Sequence, residues 1–550
     1  MFRPNRREFL KSVSAASLLP LEQTRAELIL HHGNIITIDD RQPKVEAVAI
    51  AGGRLFAVGS NDDVLNLATA ATRRIDLEGK TVVPGFIDAH THLGYSGLRH
   101  LTRLDCDLRS IEAIKGAIRA YAQETPVGDW VAGFKYDDTK TAEGRALTRE
   151  DLDEVAPEHP VFIEHRGGHT AYVNSLALER AGITEDTPDP QGGHRGRDAS
   201  GRLNGKLEEN AAFTMGDLLP SDFSREQARE GVKLITEMMA RSGITSAHDA
   251  LGSPDDLRSY QDSREADELA LRVYALIDVQ YLDAMIEAGV RTGLGDEWVK
   301  VGPVKLLCDG SISERTARLS KPFVGSPDDY GIIVTEESEL YEQARKAHAA
   351  GWQVAVHANG DVGIDITLRV LERVQQELPR DDPRFRLEHC TVVNDDLIAR
   401  IRALGAIPNP FSTYVYYHGE KMIYYGAERL EHMFAVRSFL DAGIKVTQTS
   451  DYPPGPFEPM MALQSSVTRT DMNGTVWGPS QKVSVLEAIR VGTLHGAHAS
   501  YEENDKGSLE AGKLADLVVL GQDPTEVDPS TLIDIPVERT MVGGRWVHEA

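Results

Sequence analysis

The stretch VVPGFIDAHTHLG, Val82 to Gly94, decides the fold. It opens on an apolar run and then places Asp88, His90 and His92 on alternate residues. On a β-strand, positions i, i+2 and i+4 project to one face, so these three groups point into whatever that face encloses. Two imidazoles held in this way form a pincer for a metal ion.

From Pro84 to about Tyr501, short apolar runs alternate with helix-like segments. The candidate strands are GFIDAHTH, PVFIEH, ITSAHD, RVYALI, VGPVKLLCDG, WQVAVHANGD, RFRLEHC, GAIPNP and KVTQTSD. Segments such as LYEQARKAHAAG and LIARIRALG carry apolar faces at helical period and end in glycine, as helix C-termini often do. This alternation predicts an α/β protein built on a (β/α)8 TIM barrel. Nine candidates compete for eight places, so PVFIEH or RVYALI belongs to an insertion. The insertion is expected over about 135–220, where TPDPQGGHRGRDASGRLNG is dense in Gly, Pro, Asp and Arg, and it is expected to cover the active site. On either side of the barrel the texture turns short and β-like, in ELILHHGNIITID, AVAIAGGRLFAVG and RRIDLEGKTVVPG, then again in LADLVVLGQD and RTMVGGRWVHE. The expected organisation is a small β-sandwich domain made from 26–84 and 502–550, enclosing a barrel domain at 85–501.

With 41% apolar and 26% charged residues over 550 positions, the chain has the make-up of a soluble globular protein with a large core. No apolar run reaches about 18 residues, which argues against a spanning helix. A formal charge of −26 repels phosphate backbones and anionic lipid, so neither nucleic acid nor a membrane is expected as a partner. Cys106, Cys308 and Cys390 are too few and too far apart for a disulfide framework or a CxxC metal site. At the N-terminus, NRREFLKSVSAASLLP sets Arg6 and Arg7 before a short apolar stretch, and residues 1–25 read as a twin-arginine export signal that would place the protein in the periplasm. The alternative is a basic, disordered terminus on a cytoplasmic enzyme.

Polar residues fall at the C-terminal ends of successive candidate strands: His90 and His92, then Lys305 in PVKLLCDG, His357 in VAVHANGD, His389 in RLEHC and Asp451 in VTQTSD. Catalytic groups of (β/α)8 enzymes come from these ends. Singly, each has an ordinary structural explanation, such as a hydrogen-bonded histidine or a lysine reaching solvent. Together, at equivalent ends of separate strands, they point to one metal-dependent site.

The motifs PGFIDAHTH, GGHTAYVNSLALERAGI, VKLLCDGSISERTA, VAVHANGD, LEHC, SDYPPGPFEP and KGSLEAGKLADLVVL run in order along nearly the whole chain. In that order the chain resembles the amidohydrolase superfamily, and within it the YtcJ-like group (amidohydrolase family 3) that includes N-substituted formamide deformylases. The resemblance implies one or two divalent metal ions, two being preferred, with Zn2+ suited to imidazole and oxygen donors. It implies that His90 and His92 hold the more buried ion, and His357 and His389 the second. Lys305 falls where binuclear members carry a bridging lysine, carbamylated by carbon dioxide so that a cation becomes a carboxylate. Asp451 falls where members carry an aspartate that binds the first ion and moves the proton. The implied reaction is hydrolysis of an amide, N-acyl, N-formyl or cyclic amide C–N bond by a metal-bound hydroxide, with Asp451 as proton carrier and a small amide as substrate. A deaminase or an ester or lactone hydrolase on the same scaffold is the alternative, and a catalytically silent binding protein is the rival from another class. Oligomeric state stays open, a homodimer included.

Substrate contacts are expected from His169 in GGHTAYVNS, from Asp309 and Arg315 in CDGSISERTA, from Tyr416 in FSTYVYYHGEKMIYYG, and from His248 in SAHD as a supporting group. For Asp309 and Arg315 the competing reading is an internal ion pair holding their loop. For the tyrosines it is a packed loop rather than an aromatic wall. Asn174 reads as a helix cap, and Glu209 in GKLEENAAF as a solvent-facing helix residue.

Overall fold

A computed structural model describes residues 25–220 and 223–550, so the Arg6–Arg7 stretch lies outside the described residues. The stretch that opened the reading forms strand β1, Phe86–Thr91, buried along its whole length. Parallel to it, each strand paired with the next, run β2 (Ile244–Gly252), β3 (Arg272–Asp278), β4 (Val299–Leu307), β5 (Val354–Ala358), β6 (Arg386–His389) and β7 (Ile407–Asn409). Staves covered on both faces read as continuous apolar runs, which is why the sequence displayed them so plainly.

The eighth stave differs from expectation. KVTQTSD forms no regular strand, yet its backbone still bonds to both neighbours. Thr447 N donates to Pro408 O at 3.2 Å and Thr449 O accepts from Ser412 N at 2.9 Å, while Gln448 O accepts from Ala89 N at 3.0 Å. Asp451 N then donates to His90 O at 2.8 Å. The segment thereby closes the barrel between β7 and β1.

RVYALI is β3, and PVFIEH is the displaced candidate. The latter forms Val161–His165 in a separate six-stranded sheet, ordered Gly193–Arg197, Leu203–Glu209, Thr170–Val173, Val161–His165, Val131–Tyr136 and Leu104–Asp105. This sheet starts ahead of residue 135. Alternate residues feed two cores: Val161, Ile163 and Tyr172 pack with Ile114, Ile118 and Leu152 on one side, and Phe162, Ala171 and Val173 with Leu207 and Met215 on the other.

Residues from the two ends of the chain share one sheet. Thr81–Pro84 pairs antiparallel with Leu517–Leu520, placing Val83 opposite Val518, and pairs parallel with Asn34–Ile36. A second, four-stranded sheet of Arg54–Gly59, Ala47–Ala51, Leu28–His31 and Arg73–Asp76 packs with it around Leu30, Val48, Leu517 and Met541 to make the β-sandwich. The barrel helices follow their sequence signals. Asp395–Leu404 starts on the Asn394 side chain, which accepts from Leu397 N, and ends on Gly405 at φ 66°, the left-handed conformation that glycine enters at least cost. No helix among the described residues is long and apolar enough to cross a membrane.

Candidate metal centre

All six sequence-predicted ligands meet at the C-terminal end of the barrel. Asp451 Oδ1 lies 3.2 Å from Nε2 of both His90 and His92. Lys305 Nζ, from β4, lies 3.2 Å from His90 Nε2. The His389 ring is 4.8 Å from that of His90 and 4.5 Å from that of His357, and its outer face stacks on Phe411 at 4.4 Å. All six residues are buried.

The donor set fits a divalent cation. His90 Nδ1 bonds the Glu388 carboxylate, His92 Nδ1 bonds the Ala250 carbonyl at 3.0 Å, and His357 Nε2 bonds the Gly310 carbonyl at 3.1 Å. Each bond sets a tautomer and leaves the other ring nitrogen with its lone pair free. Asp451 Oδ1, although close to two imidazoles, has no aligned hydrogen bond among the described residues, and neither does the buried His389 Nδ1. Unpaired buried polar atoms cost about 1–3 kcal/mol each, a cost that a cation among these lone pairs removes.

Electrostatics favour the ligating forms. Burial pushes His92 down to about 4 against the pull of Asp451, and holds His357 and His389 well below the imidazole range, so the rings stay neutral. Burial alone would raise Asp451, but His389, His90 and His92 outweigh it and hold the carboxyl well below its usual range. Lys305 is pushed down to about 8 by burial, against the opposing charges of Glu388 and Asp451. Two of the six also sit in left-handed backbone, His389 at φ 72° and Asp451 at φ 54°. Such strain outside glycine costs about 1–3 kcal/mol and clusters at functional positions.

The structure places the other polar residues singled out in the sequence around the six ligands rather than among them. Asp88 shares the strand face but does not join the ligands. Its Oδ1 accepts from Ser450 N at 3.0 Å and its Oδ2 from the Ser450 hydroxyl, tying β1 to the closing segment beside Asp451. His248, 0% exposed, lies inside the barrel with Nδ1 3.1 Å from Arg386, the partner of Glu388, and its ring against Tyr274. Asp309, also 0% exposed, accepts the backbone N–H groups of Asn359, Gly360 and Arg318, each at 2.8 Å, so both oxygens are taken. It holds its loop through amides, not through Arg315, whose guanidinium lies over the Tyr424 ring at 4.5 Å. The tyrosine cluster is mostly packed loop: Tyr414 stacks on Phe434 and Tyr425 donates to Ile312 O. Tyr416 is half-buried and touches none of the six ligands through its hydrogen bonds, which run from its backbone to Ser465 and Met472.

His169 does reach the centre, its ring 5.6 Å from that of His357. Its Nδ1 is 2.8 Å from Glu209 Oε2, and Glu209 is not solvent-facing but 0% exposed. The Glu209 charge raises His169 to about 9 in spite of burial. Asn174 caps Ser175–Arg180, accepting from Ala177 N at 3.0 Å.

Glu388 is the functional residue that the sequence reading missed. It carries His90 and accepts from Arg386 Nε at 2.7 Å and from Asn409 Nδ2 at 3.1 Å, and the Arg386 charge, together with the His90 bond, holds it ionised against burial. The available signal was RLEH, where Arg386 and Glu388 alternate on one face of a strand that must be buried. Glu388→Gln keeps the shape and removes the charge behind the imidazole. Affinity for zinc, read by competition with a chelator, is expected to fall about 10–100-fold.

Comparison with known proteins agrees with this architecture. An amidohydrolase family model matches residues 73–548. The chain is 31% identical over 540 residues to the N-substituted formamide deformylase of Arthrobacter pascens, covering 95% of this chain and 98% of that one. It is 29% identical over 535 residues to the putative amidohydrolase YtcJ of Bacillus subtilis, covering 95% and 99%. The crystal structure of an uncharacterized metal-dependent hydrolase from Pyrococcus horikoshii superposes with a TM-score of 0.74 at 25% identity, over 91% of this chain and 99% of that one. The chain therefore belongs to the amidohydrolase family, hydrolases acting on carbon–nitrogen bonds other than peptide bonds.

Proposed function

We propose that the chain is a metal-dependent amidohydrolase that cleaves the C–N bond of a small amide, with N-substituted formamides the first class to test. The observation that carries this reading is the meeting of His90, His92 and Asp451 with Lys305, His357 and His389 at one end of the barrel. His90, His92 and Asp451 would hold one divalent ion, zinc by the chemistry of the donors, while Lys305, His357 and His389 offer donors for a second. When bound, such an ion supplies Lewis acidity and lowers the pKa of water from about 15.7 to about 7.

The protein groups supply the rest. Asp451, held ionised, accepts a proton as the water oxygen bonds the carbonyl carbon, then returns it to the leaving nitrogen as the C–N bond breaks. Lys305, depressed to about 8, has a neutral amine available near neutral pH, the form that reacts with carbon dioxide. Carbamylation would replace a cation beside three imidazoles with a carboxylate donor. Formamides are favoured as the first class because the chain matches the N-substituted formamide deformylase of Arthrobacter pascens over 98% of that protein's length.

The test is a panel of N-substituted formamides, longer acyl amides, cyclic amides and carboxylic esters, assayed for released amine or alcohol with zinc, after chelation and after zinc is restored. The expected result is amine release that chelation abolishes and zinc restores. Hydrolysis confined to esters, or unaffected by chelation, would contradict the proposal.

A further inference from the structure

We infer that His169 is a catalytic residue presenting Nε2 to the scissile amide group of the substrate, and that Glu209 is the positioning residue that fixes its ring; this deepens the hydrolase reading above and rests on it. His169 lies in the insertion, outside the barrel, yet its ring stands 5.6 Å from His357. Nδ1 is committed to Glu209, so Nε2 is the one ring nitrogen left to meet a ligand, and it has no hydrogen bond among the described residues. The side chain is 15% exposed, while Glu209 behind it is sealed.

Local structure alone does not account for a glutamate at 209. The carboxylate is fully buried, and Oε1 has no partner among the described residues. Its backbone at φ 51°, ψ −127° is strained for any residue but glycine, and its side chain does not cap the helix Asn210–Gly216 that it precedes. Asparagine, serine or glycine would begin that helix at less cost. What the position does provide is a double tie to His169, from Oε2 to Nδ1 at 2.8 Å and from Glu209 N to His169 O at 2.7 Å.

The other side of the loop is pinned as firmly. Glu314, from the barrel loop after β4, bonds His169 N at 3.2 Å and His165 Nδ1 at 3.0 Å. A Cβ on Gly167 would lie 2.2 Å from the Glu314 carboxylate oxygens, and Gly168 sits at φ 83°, which explains both glycines of the GGH motif. A ring carried by an insertion, anchored from the barrel and set 5.6 Å from the His357 ring, is placed as a substrate contact requires.

The experiment measures kcat/KM, bound zinc and thermal midpoint for the full chain, using an amide that the wild type hydrolyses. The variants are His169→Ala, Glu209→Ala, Glu209→Gln and the His169→Ala/Glu209→Ala double. His169→Ala is expected to lower kcat/KM by about 10²-fold or more at unchanged zinc content and midpoint. Glu209→Ala should approach that loss, Glu209→Gln, which keeps an acceptor for Nδ1, should lose less, and the double variant should be no worse than His169→Ala. Losses that multiply in the double variant would mark Glu209 as a structural residue acting on its own, and zinc loss in His169→Ala would make that ring a ligand; either overturns the inference. Should Glu209→Ala fail to fold, the same cycle run with Glu209→Gln decides. An active wild type with an unimpaired His169→Ala overturns this role alone, whereas a wild type inert to every amide overturns the hydrolase reading and this role with it.

Discussion

His90→Ala is expected to lose bound zinc and, with it, at least about 10⁴-fold in kcat/KM. His90 is the hub of the centre, its Nε2 being 3.2 Å from both Asp451 and Lys305 and its Nδ1 on Glu388. Removing the ring deletes a ligand and leaves Glu388 short of one buried partner. Arg386 and Asn409 still hold that carboxylate, so the cost to the fold is that of one lost charge-assisted bond, about 1–3 kcal/mol. Metal analysis, single-turnover assays and thermal unfolding against the chelated wild type separate the two effects. A variant that keeps its zinc and its turnover would remove His90 from the site.

Asp451→Asn is expected to lower kcat/KM by about 10³–10⁴-fold with little loss of fold. The carboxylate is held ionised by the surrounding imidazoles, and its backbone is fixed by Asp451 N donating to His90 O at 2.8 Å. An amide has the same shape and keeps that backbone bond, but it cannot take and return a proton. His357 and His389 are untouched, so a second ion should largely remain while turnover falls. Metal stoichiometry measured beside kcat checks both halves, and full activity with two equivalents of metal would contradict the assignment of the proton to Asp451.

The barrel was legible because its staves are buried on both faces, so apolar runs mark them and polar residues towards the C-terminal end of each run mark the open end. His90, His92, Lys305, His357, His389 and Asp451 all sit in that position. The eighth stave was legible as a segment, but its sparse ladder to β7 and β1 leaves it short of a regular strand. Leu104–Asp105, the two-residue edge of the inserted sheet, is too short to carry a period. Pairings across long stretches of chain left no local trace. CDGS shows an aspartate beside a strand end, but nothing near it in sequence says that Asp309 turns inward to the amides of Asn359 and Gly360. ENAAF looks like the exposed start of a helix until Thr170–Val173 pairs with Leu203–Glu209 and brings Glu209 to His169. Helical propensity and charge argued for solvent there, and tertiary packing overrode both.

The most direct test of the central claim is anomalous X-ray diffraction at the zinc edge from crystals of the full chain grown with zinc. The account predicts a peak within about 2.0–2.2 Å of His90 Nε2, His92 Nε2 and an Asp451 oxygen. An active, zinc-loaded crystal whose anomalous signal lies elsewhere, with those three side chains still facing one another unliganded, would contradict it.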